Sequence, residues 1–269
     1  MQEGPQTVQV SVIMPAYNAA RYIGESIDSV LGQSYIGWEL IVINDASTDG
    51  TQQVVERYVA LDDRIKLLNL PENHGAPAGP RNNGIAQAAG KWIAFLDSDD
   101  LWHPEKLTVQ MKALQDSGAK FCSAMMNDFH DSATIVIDDV GVPTMETITF
   151  YRQLVRYRTP TSSVVIEREI LLSLPFNEDM RFKAREDYDL WLRVHESIRE
   201  SVKVMTPLVY YRVSEGQISG SKWTMLKRTL LVLQEYRFID GSQLGWKSYL
   251  YTGTHVLFSL YYRIILKSL

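Results

Sequence analysis

Apolar residues in the first half of the chain follow two alternating rhythms. Residues 8–14 (V-Q-V-S-V-I-M) predict a strand, and 20–31 have helical spacing with Ile23, Ile27, Val30 and Leu31 on one face. Residues 39–44 predict the next strand. Asp49-Gly-Thr then opens a helix to about Leu61, with Val54, Val55, Tyr58 and Val59 apolar. A third strand follows at 65–69, a third helix at 80–89 closed by Gly90, and a fourth strand at 91–96. The next helix starts near Pro104 and turns Leu107, Met111 and Leu114 inward. Alternation at this pace predicts an α/β fold with a mostly parallel sheet and helices on both faces.

After a strand at 121–126 the rhythm breaks. Residues 127–165 read as irregular, with strand-like pieces at 134–137 and 147–150 and a short helix after Phe150. A second block follows: a strand at 163–166, helices at 167–173 and from 187 to about 196, and strands at 202–205 and 208–212. From Ser221 the pattern is helical to the end. With no repeat, low-complexity tract or long linker, the chain reads as one compact unit carrying a C-terminal helical segment.

The 269 residues can bury a substantial core, and 45% hydrophobic with 22% charged residues is the balance of a globular protein. A net charge of −5 argues against nucleic acid as the main partner. Cys122 is the single cysteine, so no disulfide framework or thiolate zinc site is expected. The start, M-Q-E-G-P-Q-T, lacks the basic and apolar stretches of a signal peptide, so the cytoplasm is the expected compartment.

In open α/β sheets ligands sit beyond the carboxyl ends of the strands. Pro15-Ala16-Tyr17-Asn18, Asn44-Asp45-Ala46-Ser47, the loop before Arg81, and Asp97-Ser98-Asp99-Asp100 are expected to meet there. No glycine-rich phosphate loop follows any strand. Yet I-A-F-L-D-S-D-D carries a buried strand into three carboxylates, where repulsion and desolvation are costly. That cluster is either a solvated turn leading into a helix or a holder for a hard divalent cation on a substrate phosphate, Mg²⁺ or Mn²⁺. The second acidic cluster, Arg185-Glu186-Asp187-Tyr188-Asp189, has two compatible readings. Asp187 caps a helix, or it is a catalytic base on a rigid mount.

In one order and at familiar spacings, V-S-V-I-M-P-A-Y-N, I-N-D-A-S-T-D-G-T, P-R-N-N-G-I, W-I-A-F-L-D-S-D-D-L-W-H-P-E-K-L and R-E-D-Y-D-L-W-L-R closely resemble family 2 glycosyltransferases, inverting enzymes of the GT-A fold. The likeness covers residues from about 8 to about 221. It implies a nucleotide-sugar-binding half at 1–126, an acceptor-binding half at 127–220 and an appended helical segment at 221–269. Tyr17, beside Pro15 and Asn18, resembles the aromatic that packs on the nucleotide base, with a plain core residue as the other reading. Asp45 resembles the uracil-recognising aspartate, and Arg81 the basic residue near that ring, or else a surface residue opening a helix. Within the D-x-D motif around Ser98, the resemblance implies that Asp97 faces ribose or metal and that Asp99 ligates the metal. Asp187 falls on the catalytic base, with Glu186 and Asp189 as possible support.

Many relatives continue Y-R-x-H after the last strand, where this chain has Tyr211-Arg212-Val213-Ser214. Either water completes the metal shell, or Arg212 and Lys222 help hold the diphosphate. The implied activity is metal-dependent inverting transfer from a UDP-sugar to a glycan or polyprenyl-diphosphate-linked acceptor in surface polysaccharide synthesis, such as O-antigen. A sugar nucleotidyltransferase and a non-catalytic glycan- or nucleotide-binding module are the alternatives; the first usually carries a glycine-rich loop that P-A-Y-N-A-A-R lacks. After Asp240 no acidic residue remains, and residues 249–266 are aromatic and apolar. This tail predicts a peripheral membrane-surface helix, or one packed on its own domain or on a second subunit of a homodimer.

Overall fold

The computed structural model describes residues 8–213 and 222–264. Its elements run β1 (Val10–Ala16), α1 (Ile23–Leu31), β2 (Trp38–Asn44), α2 (Thr51–Val59), β3 (Ile65–Asn69), α3 (Ala78–Gln87), β4 (Trp92–Phe95), β5 (Leu101–Trp102), α4 (Lys106–Ser117) and β6 (Phe121–Phe129). Then come β7 (Met145–Thr149), α5 (Phe150–Val155), β8 (Val165–Glu167), α6 (Arg168–Ser173), α7 (Glu186–Ile198), β9 (Glu200–Arg212), α8 (Lys222–Glu235) and α9 (Lys247–Ile264). All strands join one sheet in the order β3-β2-β1-β4-β8-β6-β9-β5, with β7 on β9.

The parallel part is β3-β2-β1-β4. Short β8 runs antiparallel between β4 and β6, which restores the common direction for β6 and β9. β5 and β7 pair antiparallel with β9. The sheet is therefore mostly parallel in direction, as expected from the alternation.

Strand side chains alternate between faces, and the two cores follow that period. Val10, Val12 and Met14 of β1 pack with Ile23, Ile27, Val55, Leu107 and Leu114 from α1, α2 and α4. Ile13 points the other way, into a core with Ile85, Leu171, Leu190, Trp191 and Val194 from α3, α6 and α7. A third cluster joins α5, α7, α8 and the loop before α9 through Phe150, Tyr188, Leu192, Val232, Tyr236 and Leu244.

Four local expectations change. The run at 134–137 forms no strand: Asp131 caps a single 3₁₀ turn, and Val136 and Ile137 are exposed. The two strands expected at 202–205 and 208–212 are one, β9. Its Pro207, lacking an N–H, sits where the pairing with β6 shifts register. Gly90 does not close α3, which ends at Gln87 with Ala88 as its C-cap; a Cβ at Gly90 would lie 2.7 Å from the Ser11 backbone nitrogen. The tail is two helices rather than one, because α8 ends at Glu235 and Gly241 and Gly245 take positive φ in the intervening turn.

α9 packs on the domain through one face. Its Thr254 and His255 bond the Val155 and Leu154 carbonyls, and Tyr188 Oη lies 3.1 Å from His255 Nε2. Outward it presents Tyr249, Leu250, Leu257, Leu260 and Tyr261. Among the described residues no helix is long and apolar enough to cross a membrane.

Candidate active site

The carboxyl ends of β1, β2 and β4 lie at one edge, since Ala16 pairs with Asn44 and Ile13 with Phe95. Pro15 is the penultimate residue of β1, and Tyr17 beyond it is half exposed (51%), which removes the core reading. Asn18 takes φ +50° and locks the first two loops together: its N–H donates to Ser47 Oγ (3.0 Å) and its Oδ1 accepts from Thr48 N (2.8 Å). Asp45 is buried at the end of β2. It accepts from His74 N (3.1 Å) and Asn73 Nδ2 (3.0 Å) and lies 2.8 Å from His74 Nδ1.

Arg81 is no surface residue. It is 3% exposed, and its guanidinium joins Asp97 Oδ1 (2.8 Å) to Glu186 Oε1 (3.0 Å), residues far apart in sequence. Gly84 lets α3 approach this closely, because a Cβ there would meet Ile43 at 2.7 Å. Burial works against the Arg81 charge, but Asp97 and Glu186 overcome it and raise its pKa.

The three aspartates after β4 part company. Asp97, Ser98 and Asp99 are half-buried at the edge, while Asp100 turns inward and is 1% exposed. Asp100 accepts from Ser162 Oγ (2.7 Å) and Arg212 N (3.1 Å). Burial, followed by Asp97 and Asp99, pushes its carboxyl well above the usual range. Ser162 Oγ also accepts from Asp97 N (3.2 Å), so one hydroxyl ties both ends of the turn. Arg212 is buried too. Its Nε donates to the Asp99 carbonyl (2.8 Å), its Nη2 to Glu25 (2.7 Å), and Tyr22 and Phe129 flank it. It thereby braces the turn. Lys222 opens α8, but its side chain, like Ser214, lies outside the described residues.

Asp187 sits in the first turn of α7, one residue inside it. Arg185 holds the N-cap position, so the expected capping role falls away. Asp187 Oδ2 accepts from Tyr157 Oη (2.6 Å) and Thr161 Oγ1 (3.0 Å), and Oδ1 from Tyr188 N (2.7 Å). Tyr157, Thr161 and Ser162, like Asn73 and His74, carried no signal in the sequence. Glu186 is buried with one oxygen lacking a protein partner. Burial pushes it up to about 7, Asp187 adding to the effect and Arg81 opposing it. Asp189 is apart from this network, ion-paired with Arg193 at 2.8 Å on the next helical turn.

Among the described residues no three His, Cys, Asp or Glu side chains converge as a protein-only metal cage. The hard carboxylates of Asp97 and Asp99, half-buried at the edge, suit a cation that completes its shell with phosphate and water. The arrangement thus offers an anion-linked binding edge and, joined to it through Arg81 and Glu186, an oriented carboxylate.

The chain is 35% identical over 84% of its length, and 86% of the other's, to the Escherichia coli UDP-Glc:alpha-D-GlcNAc-diphosphoundecaprenol beta-1,3-glucosyltransferase WfgD. It is 32% identical to the Erwinia amylovora amylovoran biosynthesis glycosyltransferase AmsB, covering 84% and 77% of the two chains. The fold is that of S. aureus TarS 1-349 in complex with UDP-GlcNAc (TM-score 0.67, 24% identity, 84% of this chain and 65% of that one). It is also that of the Pyrobaculum calidifontis mannosyltransferase PcManGT in complex with GDP-Man and Mn²⁺ (TM-score 0.63, 18% identity, 96% and 76%). The Glycosyl transferase family 2 model matches residues 11–169, and with that span and these relatives the chain belongs to glycosyl transferase family 2.

Proposed function

We propose that the chain transfers a hexose, with inversion, from a UDP-sugar to a hydroxyl of a lipid-linked glycan acceptor during surface polysaccharide synthesis. The observation that carries this is the Asp97–Arg81–Glu186 bridge beside Asp187, which joins the strand-end edge to an oriented carboxylate. The names of WfgD and AmsB support a polysaccharide setting and a diphosphate-lipid acceptor, and TarS with UDP-GlcNAc supports the donor.

In this reading Tyr17 and Asn18 shape the nucleotide site, Asp45 recognises the base, and residues 1–126 supply the donor half. Asp187 takes the proton from the acceptor hydroxyl as its oxygen attacks the anomeric carbon and the bond to the nucleotide diphosphate breaks. Tyr157 and Thr161 hold that carboxylate in place, and residues 127–220 face the acceptor. Asp97 and Asp99 would hold Mn²⁺ or Mg²⁺, which when bound neutralises negative charge on the departing diphosphate. PcManGT with Mn²⁺ supports that assignment. The outward apolar face of α9, together with Lys247, Arg263 and Lys267 in the sequence of the tail, favours a peripheral position at the inner face of the cytoplasmic membrane.

Titrating UDP into the protein with Mn²⁺ and again in EDTA tests the donor site. Binding is expected only with the metal, and Asp99→Ala should lose most of it while staying folded. Equal affinity in EDTA would remove the metal from the reading.

A further inference from the structure

The acidic cluster that carries Asp187 opens with a cation. Each carboxylate of residues 186–189 has its partner elsewhere: Glu186 pairs with Arg81, Asp187 accepts from Tyr157 and Thr161, and Asp189 pairs with Arg193. Half-buried Arg185 pairs with none of them. Its Nε donates to Thr229 Oγ1 of α8 (2.9 Å), and its guanidinium stands 5.5 Å from the centre of the Tyr157 ring. Thr229 is a core position, 2% exposed, so the anchor is firm. The two terminal nitrogens of Arg185 have no hydrogen-bond partner among the described residues and are not buried by them. What results is a fixed guanidinium with its outer donors left over, a geometry that suits two oxygens of a phosphate.

Its place relative to Asp187 decides which phosphate. The Tyr157 side chain touches both groups: its hydroxyl donates to Asp187 Oδ2 (2.6 Å), and its ring meets the Arg185 guanidinium. Burial and then Asp187 raise the Tyr157 pKa well above its usual range, and Arg185 opposes them, so the arginine's field reaches the phenol. A sugar ring is similar in size to the tyrosine ring. A sugar with one hydroxyl at Asp187 can therefore carry a phosphate on its far side to Arg185. The donor diphosphate belongs to the other side. In the displacement proposed above, the attacking hydroxyl and the leaving diphosphate are on opposite faces of the anomeric carbon. The strand-end edge serves the diphosphate and meets Asp187 through Arg81 and Glu186, whereas Arg185 lies toward α8, held by Thr229.

We infer that Arg185 binds the phosphate attached to the acceptor sugar, and so selects sugar diphosphates over neutral glycosides as acceptors. The inference rests on the lipid-linked acceptor proposed above and names the residue that recognises its charged link.

The test compares two probes that differ at the link: the octyl diphosphate of α-N-acetylglucosamine and octyl α-N-acetylglucosaminide. Each is titrated calorimetrically into the full chain in EDTA, so that no metal draws a diphosphate to Asp97 and Asp99. The parent should bind the diphosphate about tenfold more tightly than the glycoside, the gain expected for one charge-assisted contact. Arg185→Gln should weaken the diphosphate about tenfold, leave the glycoside as it was and so abolish the preference. Thr229→Val keeps the charge but removes its anchor, and should weaken the diphosphate by a smaller factor. A parent that binds the two probes alike, or binds neither, overturns the inference. So does unchanged diphosphate affinity in Arg185→Gln. Equal losses for both probes would mean that Arg185 only holds Tyr157, and the inference falls. With Mn²⁺ in place of EDTA, saturating UDP should leave the diphosphate probe bound; its displacement would put the probe in the donor site and overturn the assignment. UDP binding with Mn²⁺ in Arg185→Gln should match the parent. Failure of the parent to bind UDP would count against the donor reading and leave the comparison of the two probes standing.

Discussion

Asp187 accepts three hydrogen bonds, from Tyr157, Thr161 and the Tyr188 N–H, before any acceptor arrives. Its orientation is thus set by residues drawn from two segments. Asp187→Asn keeps the size and the oxygen that accepts from the Tyr188 N–H, while its amide nitrogen donates to the Tyr157 and Thr161 hydroxyls, which rotate to accept. An amide cannot take the acceptor proton, so turnover should fall by roughly 10²-fold or more with donor affinity nearly intact. Steady-state kinetics with a UDP-sugar would check this, and parental turnover would strip Asp187 of its role. The aspartates at 45, 97, 99 and 187 were legible because each stands in a short motif at a strand or helix end. Tyr157, Thr161 and Ser162 were not. Each supplies one hydroxyl from an irregular stretch, to a partner 26 to 65 residues away, and no local pattern marks such a contact.

At the scale of elements, period and burial explain both the successes and the misses. The strands β1–β4 are apolar runs bounded by turn residues, and they fell where expected. The 134–137 run has the same composition but no neighbouring strand to pair with, and pairing is invisible to a local window. Residues 206–207, read as a break, are absorbed by the register shift opposite Pro207. α4 holds another departure from pattern. Lys106 is fully buried on its inner face, its Nζ lacks a hydrogen-bond partner and lies 3.9 Å from the Trp102 ring, and burial lowers its pKa to about 7. Between about 7 and 10.5 the unfolded chain therefore binds more protons at this residue than the folded one, so its contribution to stability rises with pH across that window. Lys106→Met should remove this rise and leave the protein at least as stable at pH 7. Urea unfolding at pH 7 and 9.5 would show it; an unchanged pH slope would mean that the ammonium is solvated.

The whole molecule ties its C-terminal segment to the residues that hold Asp187. Leu244 enters the third core cluster, and His255 bonds the Leu154 carbonyl and faces Tyr188, whose ring packs on Tyr157. Composition marked this tail as unusual but could not separate a face turned to lipid from one turned to protein, since both are apolar. A chain ending at Ser242 should lose Tm by roughly 5–10 °C, because it uncovers Val232, Leu233 and Tyr236. A chain ending at Val256 keeps His255 and should hold its Tm, yet lose sedimentation with anionic liposomes. Equal melting of the two shorter chains would show that α9 contributes nothing to the fold.

The insertion of β8 between β4 and β6 also has a consequence in time. Ala94 pairs with Val165, which is synthesised 71 residues later (165 less 94). At roughly 5–20 residues per second the ribosome needs about 4–14 s to cover that interval. Throughout it the nascent parallel sheet presents β4 as an open edge, and β6 has no strand through which to join it. An open apolar edge is a template for pairing with other chains. Ribosome-bound chains arrested after residue 130 should therefore recruit chaperones and resist protease less than chains arrested about 40 residues beyond β8, allowing for the length hidden in the exit tunnel. Equal protection at both lengths would mean that the first four strands close without it.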